Sequence, residues 1–227
     1  MSVAQLDLTT ARTPSEYIAW FSPILEQISE REDNREAALL HENEYKFFYE
    51  ELFPLYCLLK LKEQDWSEAR FQPIKGNQSY DVKVEGLPIE FLEITTTNFD
   101  GDERFRMQQL MTEGSVDALN PICHDERGRP VGIQNEGEMR DHQQLIVEET
   151  QKIHERITRK NSRTYPSKTA LLVYYNDYKC YPSETDRSAF EALVNELHPQ
   201  WSENFTALFL VGAKGEQTFE WLTQDIR

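Results

Sequence analysis

The 227-residue sequence lacks the features that mark membrane-spanning and secreted proteins. No apolar run approaches the roughly 18 to 20 residues of a membrane-spanning helix. The N-terminus, Met-Ser-Val-Ala-Gln-Leu-Asp, lacks the basic and apolar regions of a signal peptide. Cysteine is rare, and Cys57, Cys123 and Cys180 include no Cys-x-x-Cys pair, so neither a disulfide framework nor a zinc knuckle is indicated. We expect a cytoplasmic globular protein with reduced thiols.

The sequence also lacks motifs for cofactor binding, and it has no excess of positive charge. The sequence contains no Gly-x-x-x-x-Gly-Lys-Ser/Thr phosphate loop, and its histidines show no metal-ligand spacing. Its net charge is −16, from 24 basic and 40 acidic residues. Non-specific affinity for nucleic acid comes mostly from Lys and Arg, so a basic face must be local. Candidates are Arg104, Arg106 and the run from Lys152 to Lys168, for which a solvated helix face is the simpler interpretation.

Helix and strand patterns alternate along a chain that is long enough to bury one good core. Thr13-Pro14-Ser15-Glu16 is a capping box that predicts a helix ending near Glu30. A longer helix follows to about Leu59, in which Pro54 predicts a kink or a break. Further helices are predicted at 102–111, 138–159 and 183–198, and strands at 71–75, 80–85, 89–96, 169–175, 204–211 and 218–222, with a small hairpin around 125–128.

This order of elements predicts an α/β (α+β) fold with a mixed sheet flanked by helices. The apolar run at 169–175 indicates a strand that is covered on both faces. We expect a single globular unit in which residues 1–35 form an N-terminal helical extension and residues 36–227 form the main domain.

Asp81 and Glu93 carry most of the functional information. They lie on two predicted strands joined by the turn Gly86-Leu87-Pro88. Side chains alternate between the faces of a strand, so Asp81 shares a side with Lys83, and Glu93 shares a side with Thr95. If the strands pair with those faces aligned, two carboxylates and one ammonium group meet. Hard oxygen ligands at such a point suit Mg²⁺ or Mn²⁺ rather than zinc.

A strand acid, a turn and an acid in Glu-x-Lys on the next strand, after one helix and before another, is the pattern of the PD-(D/E)XK nuclease superfamily. The chain resembles this superfamily over about residues 36 to 176, which would be the whole restriction endonuclease-like αβββαβ core. The resemblance implies that Asp81 and Glu93 hold the metal. It also implies a lysine where this sequence has Thr95.

Members of the superfamily are known to replace or move this lysine. The resemblance therefore implies that another lysine close to Thr95 takes its role. Lys83 is the first candidate, and Lys75 on the preceding strand is the second. The resemblance also implies a Gln or Lys on the following helix, where Gln143, with Gln144 beside it, fits. On the first core helix, Glu44 is the acid expected nearest the site.

The implied activity is metal-dependent hydrolysis of nucleic acid, most simply DNA, as in bacterial restriction or phage defence. A homodimer is compatible with this activity, since double-strand cleavage often uses two active sites. Two alternatives stay open. One is a catalytically inactive nuclease-like domain that binds a partner protein, and the other is an acidic mimic of DNA that occupies a partner's basic groove.

Overall fold

The computed structural model describes residues 6–30, 44–76, 78–97, 102, 104–106, 120–133, 142–177, 188, 192, 195, 196, 201, 203–213 and 218–223. The helices are α1 (Pro14–Glu30), α2 (Glu44–Phe47), a π-helical segment π1 (Phe48–Leu52), α3 (Phe53–Lys62) and α4 (His142–Asn161). The strands are β1 (Arg70–Pro73), β2 (Val82–Glu85), β3 (Phe91–Thr96), β4 (Ile122–His124), β5 (Pro130–Ile133), β6 (Thr169–Tyr175), β7 (Ala207–Gly212) and β8 (Thr218–Leu222).

Six of these strands form one mixed sheet in the order β1-β2-β3-β6-β7-β8. The strands β1, β2 and β3 are antiparallel neighbours, as the short turns predict. The strands β3, β6 and β7 run parallel, and β8 returns antiparallel to β7. A separate hairpin, β4–β5, confirms the predicted turn around residues 125–128. The mixed sheet flanked by helices is therefore confirmed.

The capping box opens α1 as predicted. The Thr13 N–H donates to a Glu16 carboxylate oxygen at 2.9 Å, and the Glu16 N–H donates to Thr13 Oγ1 at 3.4 Å. Tyr17 and Phe21 on this helix are fully buried, and the Phe21 ring stacks on Phe48 with centroids 4.8 Å apart. The predicted N-terminal extension therefore packs on the same core as the second helical segment.

Pro54 produces a widened helical turn in the second helical segment. Proline has no N–H to donate, and its ring clashes with the carbonyl four residues earlier in a regular α-helix. The segment π1 lies directly before it, and the Phe53 N–H reaches back five residues to the Phe48 carbonyl. Segments of this kind are frequent at functional sites. Here the widened turn carries Glu50 and Glu51.

The two faces of the sheet bury different side chains of the same strands. All seven residues of β6 are buried, which confirms cover on both faces. Ala170, Leu172 and Tyr174 join a core with α1, π1 and α3 that we call the aromatic face. Leu171, Val173 and Tyr175 join a smaller core with Ile153 and Ile157 of α4, which we call the α4 face.

Several predicted elements fall mostly outside the described residues. Positions 102 and 104–106 of the predicted helix at 102–111 are helical, and so are positions 188, 192, 195 and 196 of the helix predicted at 183–198. The first part of the longer helix predicted after Glu30, up to residue 43, also lies outside them. In the part of the chain that the structure describes, no helix is long and apolar enough to cross a membrane.

Candidate functional site

The candidate site lies where β2 stops pairing with β3. Val82 is opposite Leu92 and Lys83 is opposite Phe91, so the next pair in the same register is Asp81 and Glu93. These two acids therefore occupy opposing positions on one face of the sheet, the α4 face. Beyond this point β3 continues to Thr96 without β2 at its side.

Beyond this point, side chains of the site form hydrogen bonds with backbone groups of β3 in place of β2. Asp81 Oδ2 accepts the Ile94 N–H at 2.7 Å, and Lys160 Nζ donates to the Ile94 carbonyl at 3.2 Å. The Lys160 ammonium also forms an ion pair with the Glu93 carboxylate. Side chains thus replace a strand neighbour, and Asp81 and Lys160 are fixed at the N–H and the carbonyl of one residue, Ile94.

A third acid, Glu51 on π1, interacts with Asp81 and Glu93 from the helical layer on the other side of the sheet. The pKa of Asp81 is raised to about 7, first by burial and then by the negative charge of Glu93. Burial raises the pKa of Glu51 to about 8, with further contributions from the charges of Asp81 and Glu93. The Ile94 N–H and the Lys160 charge act against the shift at Asp81. The three acids therefore repel one another electrostatically, and this repulsion is only partly offset.

A cleft of about 220 Å³ opens beside these acids. Glu50, Glu51, Asp81 and residues Ile94 to Thr96 line it. Among the described residues, five basic side chains also line it, and we call them the basic rim: Lys46, Arg156, Arg159, Lys160 and Arg163. Four of them belong to α4 and its exit loop, where Arg159 and Arg163 are exposed, as a solvated helix face predicts, whereas Lys160 is half-buried. They give a strongly acidic protein a local cationic surface.

The lysine of the site differs from the one the sequence predicted. Lys83 is exposed on β2 and does not line the cleft, because it lies opposite Phe91, two residues before Glu93. Lys75 is also exposed, with its ammonium 5.8 Å from the centre of the Phe47 ring. The ammonium group at the site belongs to Lys160, which is 67 residues from Glu93 in sequence.

The predicted Gln143 and the lysine of the site lie near opposite ends of α4. Gln143 and Lys160 are 17 residues apart on α4, which corresponds to roughly 25 Å along the axis. The side chain of Gln143 lies outside the described residues, so its predicted role stays a prediction. Gln144 is exposed and donates to Glu148 at 3.0 Å.

An acid from the first core helical segment, Glu51, lines the cleft, and the predicted Glu44 stays a prediction. The side chain of Glu44 lies outside the described residues, whereas Glu51 lines the cleft. Sequence signals for the missed residues do exist. Glu51 follows buried Phe48 by three positions, and Lys160 follows buried Ile157 by three positions, so each charge continues a buried helical stripe.

The oxygen atoms of the three acids are of the chemical type that a hard divalent cation prefers. Asp81, Glu93 and Glu51 offer only carboxylate oxygens, which Mg²⁺ and Mn²⁺ prefer. Over the described ranges, however, no group of three or more His, Cys, Asp or Glu side chains is placed to hold a metal ion. Glu93 is paired with Lys160 instead. The residues present suit such an ion chemically, and its coordination by Glu93 would require Lys160 to move.

No protein-family model, curated protein or solved structure matches the chain. The function is therefore inferred from the geometry of this site.

Proposed function

We propose that the protein is a divalent-metal-dependent phosphodiesterase that hydrolyses nucleic acid on a restriction endonuclease-like core. The observation that carries this proposal is the opposition of Asp81 and Glu93 in the strand register, beside a cleft with a basic rim. The sheet order β1-β2-β3-β6, with helices before β1 and between β3 and β6, supports an αβββαβ core.

Asp81 and Glu93, with Glu51 from the helical layer, are the residues that would hold Mg²⁺ or Mn²⁺. When bound, such an ion supplies a coordinated water of lowered pKa and offsets charge on the leaving oxygen. Lys160 takes the role that the sequence suggested for Lys83. Its ammonium group lies at the cleft, where it would stabilise the negative charge that develops on the phosphoryl oxygens.

The basic rim limits how the protein can hold a polyanion. The rest of the surface carries the large net negative charge and repels phosphates, so contact is confined to the cleft and its margin. A short stretch of backbone with about three to five neutralised phosphates is therefore the expected footprint. For duplex DNA the logarithm of the binding constant should then fall with the logarithm of salt concentration with a slope of roughly −2.7 to −4.5.

The test is cleavage of plasmid, linear duplex, single-stranded DNA and RNA in Mg²⁺ and in Mn²⁺. We compare the wild type with Asp81→Asn and Glu93→Gln, which keep the shape of each side chain. Glu90→Gln is the matched control. Glu90 is an exposed glutamate directly before Phe91, and its ion pair is with Lys168. The two site variants should lose about 100-fold or more in rate, while the control keeps the wild-type rate.

Cleavage by both site variants at the rate of the control would overturn the proposal. Absence of cleavage by the wild type with every substrate and both metals would also count against it. Circular dichroism of each variant separates loss of the site from loss of the fold.

A second function, binding without catalysis, is favoured by the ion pair between Lys160 and Glu93. In this case the core would serve as a docking module for a partner protein, and metal binding would occur without cleavage or fail altogether. The basic rim argues against an acidic DNA mimic, since a mimic presents carboxylates where this cleft presents five cations.

A further inference from the structure

Lys160 lies between Glu93 and the cleft. Its side chain is 16% exposed and that of Glu93 is 6% exposed. Lys160 lines the cleft, together with Asp81 and Glu51, but Glu93 does not. The ammonium group is held on its inner side by the Glu93 carboxylate and by the Ile94 carbonyl. A cation that approaches Glu93 from the cleft therefore meets the charge of Lys160 first.

Lys160 and a divalent ion compete for one carboxylate. The lysine charge offsets part of the repulsion among the three acids, as its effect on Asp81 and Glu51 shows. A metal ion held by Asp81 and Glu93 does the same with twice the charge, and two cations in contact with one carboxylate repel each other. The negative charge of Glu93 is thus offset either by the lysine or by the metal ion.

We propose that Lys160 is an internal counter-ion that occupies the metal position at Glu93 and moves into the cleft when a divalent ion binds. This inference rests on the proposed function and concerns how the same site is regulated. The movement required is small, because Lys160 is the penultimate residue of α4, already lines the cleft and has a flexible four-carbon stem. The displaced ammonium then faces the position of the substrate phosphate.

The test is calorimetric titration with Mn²⁺ alone, without nucleic acid, at pH 8, where fewer protons compete for the carboxylates. We compare the wild type, Lys160→Met, Asp81→Asn and the matched control Lys46→Met. Lys46 is an exposed lysine that lines the same cleft, so its replacement removes the same charge at the rim. Lys160→Gln is the second variant if Lys160→Met does not fold.

Lys160→Met should bind Mn²⁺ about tenfold or more tightly than the wild type, because the competing charge is in direct contact with Glu93. Lys46→Met should change the affinity by less than about threefold, because its charge is screened by solvent. Asp81→Asn should weaken binding. The rate of nucleic-acid cleavage by Lys160→Met should fall while its metal affinity rises, a pair of opposite changes that structural damage does not produce.

The inference is wrong if Lys160→Met binds Mn²⁺ no more tightly than Lys46→Met. If wild-type binding is then still lost in Asp81→Asn, the proposed metal site stands without the lysine movement. If neither the wild type nor Lys160→Met binds Mn²⁺, the inference and the metal-dependent function both fail.

Discussion

The two faces of the central sheet receive very different side chains from one strand. On the aromatic face, β3 contributes Leu92, which is fully buried among the rings of the helical layer. On the α4 face, the same strand contributes Glu93 and Thr95, while its neighbour β6 contributes Leu171 and Val173. Alternation along one strand therefore places apolar packing on one side and a charged site on the other. Substitutions on the two faces should have separable effects.

The faces also differ in what burial does to stability. Apolar side chains gain free energy when they leave water, whereas a carboxylate loses hydration and has to be compensated by charge or by hydrogen bonds. Asp81 receives one backbone N–H, and Glu93 receives one ammonium group. The raised pKa values of Asp81 and Glu51 show that this compensation is incomplete. Packing on the aromatic face has to stabilise the fold against the unfavourable electrostatics of the site.

The largest stability effect should come from the aromatic face. Phe209 on β7 is buried there, and its ring packs against that of Trp66 with centroids 5.4 Å apart. Phe209→Ala should lower the free energy of unfolding by about 3 to 5 kcal/mol, through lost burial and the cavity that remains. Urea denaturation measures this change, and Phe209→Leu is the milder control. A cost below about 1 kcal/mol would show that this face is loosely packed.

Substitution of Asp81 on the α4 face should have a smaller effect of opposite sign, because it should raise the free energy of unfolding. The pKa of Asp81 rises from 3.8 to about 7, so the folded state binds this proton more tightly than the unfolded state does. Ionisation of Asp81 therefore reduces stability increasingly from about pH 4 to pH 7, and the full cost is present above pH 7. Asp81→Asn should match the wild type near pH 4 and exceed it by about 2 to 4 kcal/mol at pH 8.

Urea denaturation in a chelating buffer across pH 4 to 8 measures this difference. The variant retains an amide oxygen that can accept the Ile94 N–H, so the comparison isolates the charge. Saturating Mn²⁺ should reduce the advantage of the variant, because the proposed ion offsets the carboxylate charge in the wild type. A variant that is less stable than the wild type at pH 8 contradicts the interpretation of Asp81 as an uncompensated acid.

The N-terminal cap should have a third, smaller effect that is independent of the site. Thr13→Ala removes the side chain that accepts the Glu16 N–H at the start of α1. The expected loss is about 1 kcal/mol, the usual value for an N-cap. Thermal unfolding measures it, and cleavage at low temperature should remain at the wild-type rate. A large loss of cleavage at that temperature would mean that α1 communicates with the cleft, contrary to the separation of the faces.

Local patterns explain which parts of the site were predictable. The opposition of Asp81 and Glu93 was predictable because strand alternation and a short turn determine which side chains oppose each other. Lys160 was missed because its distance in sequence hides a contact that only the packing of α4 creates. Gln143, predicted from the same helix, lies near the opposite end of α4 from Lys160. Periodicity shows which stripe of a helix is buried, but it does not show which end of the helix reaches the site.

The smallest expected effect concerns the lysine that local spacing favoured. Lys83 projects from β2 on the side opposite Val82 and Val84, but it is exposed and lies outside the cleft. Lys83→Ala should therefore change the rate of nucleic-acid cleavage by less than about twofold and stability by less than about 0.5 kcal/mol. Lys160→Met, measured in parallel, should reduce the rate by about 100-fold. If the two variants exchange these effects, the catalytic lysine lies on the strand, as its spacing to Asp81 suggested, and Lys160 only compensates charge.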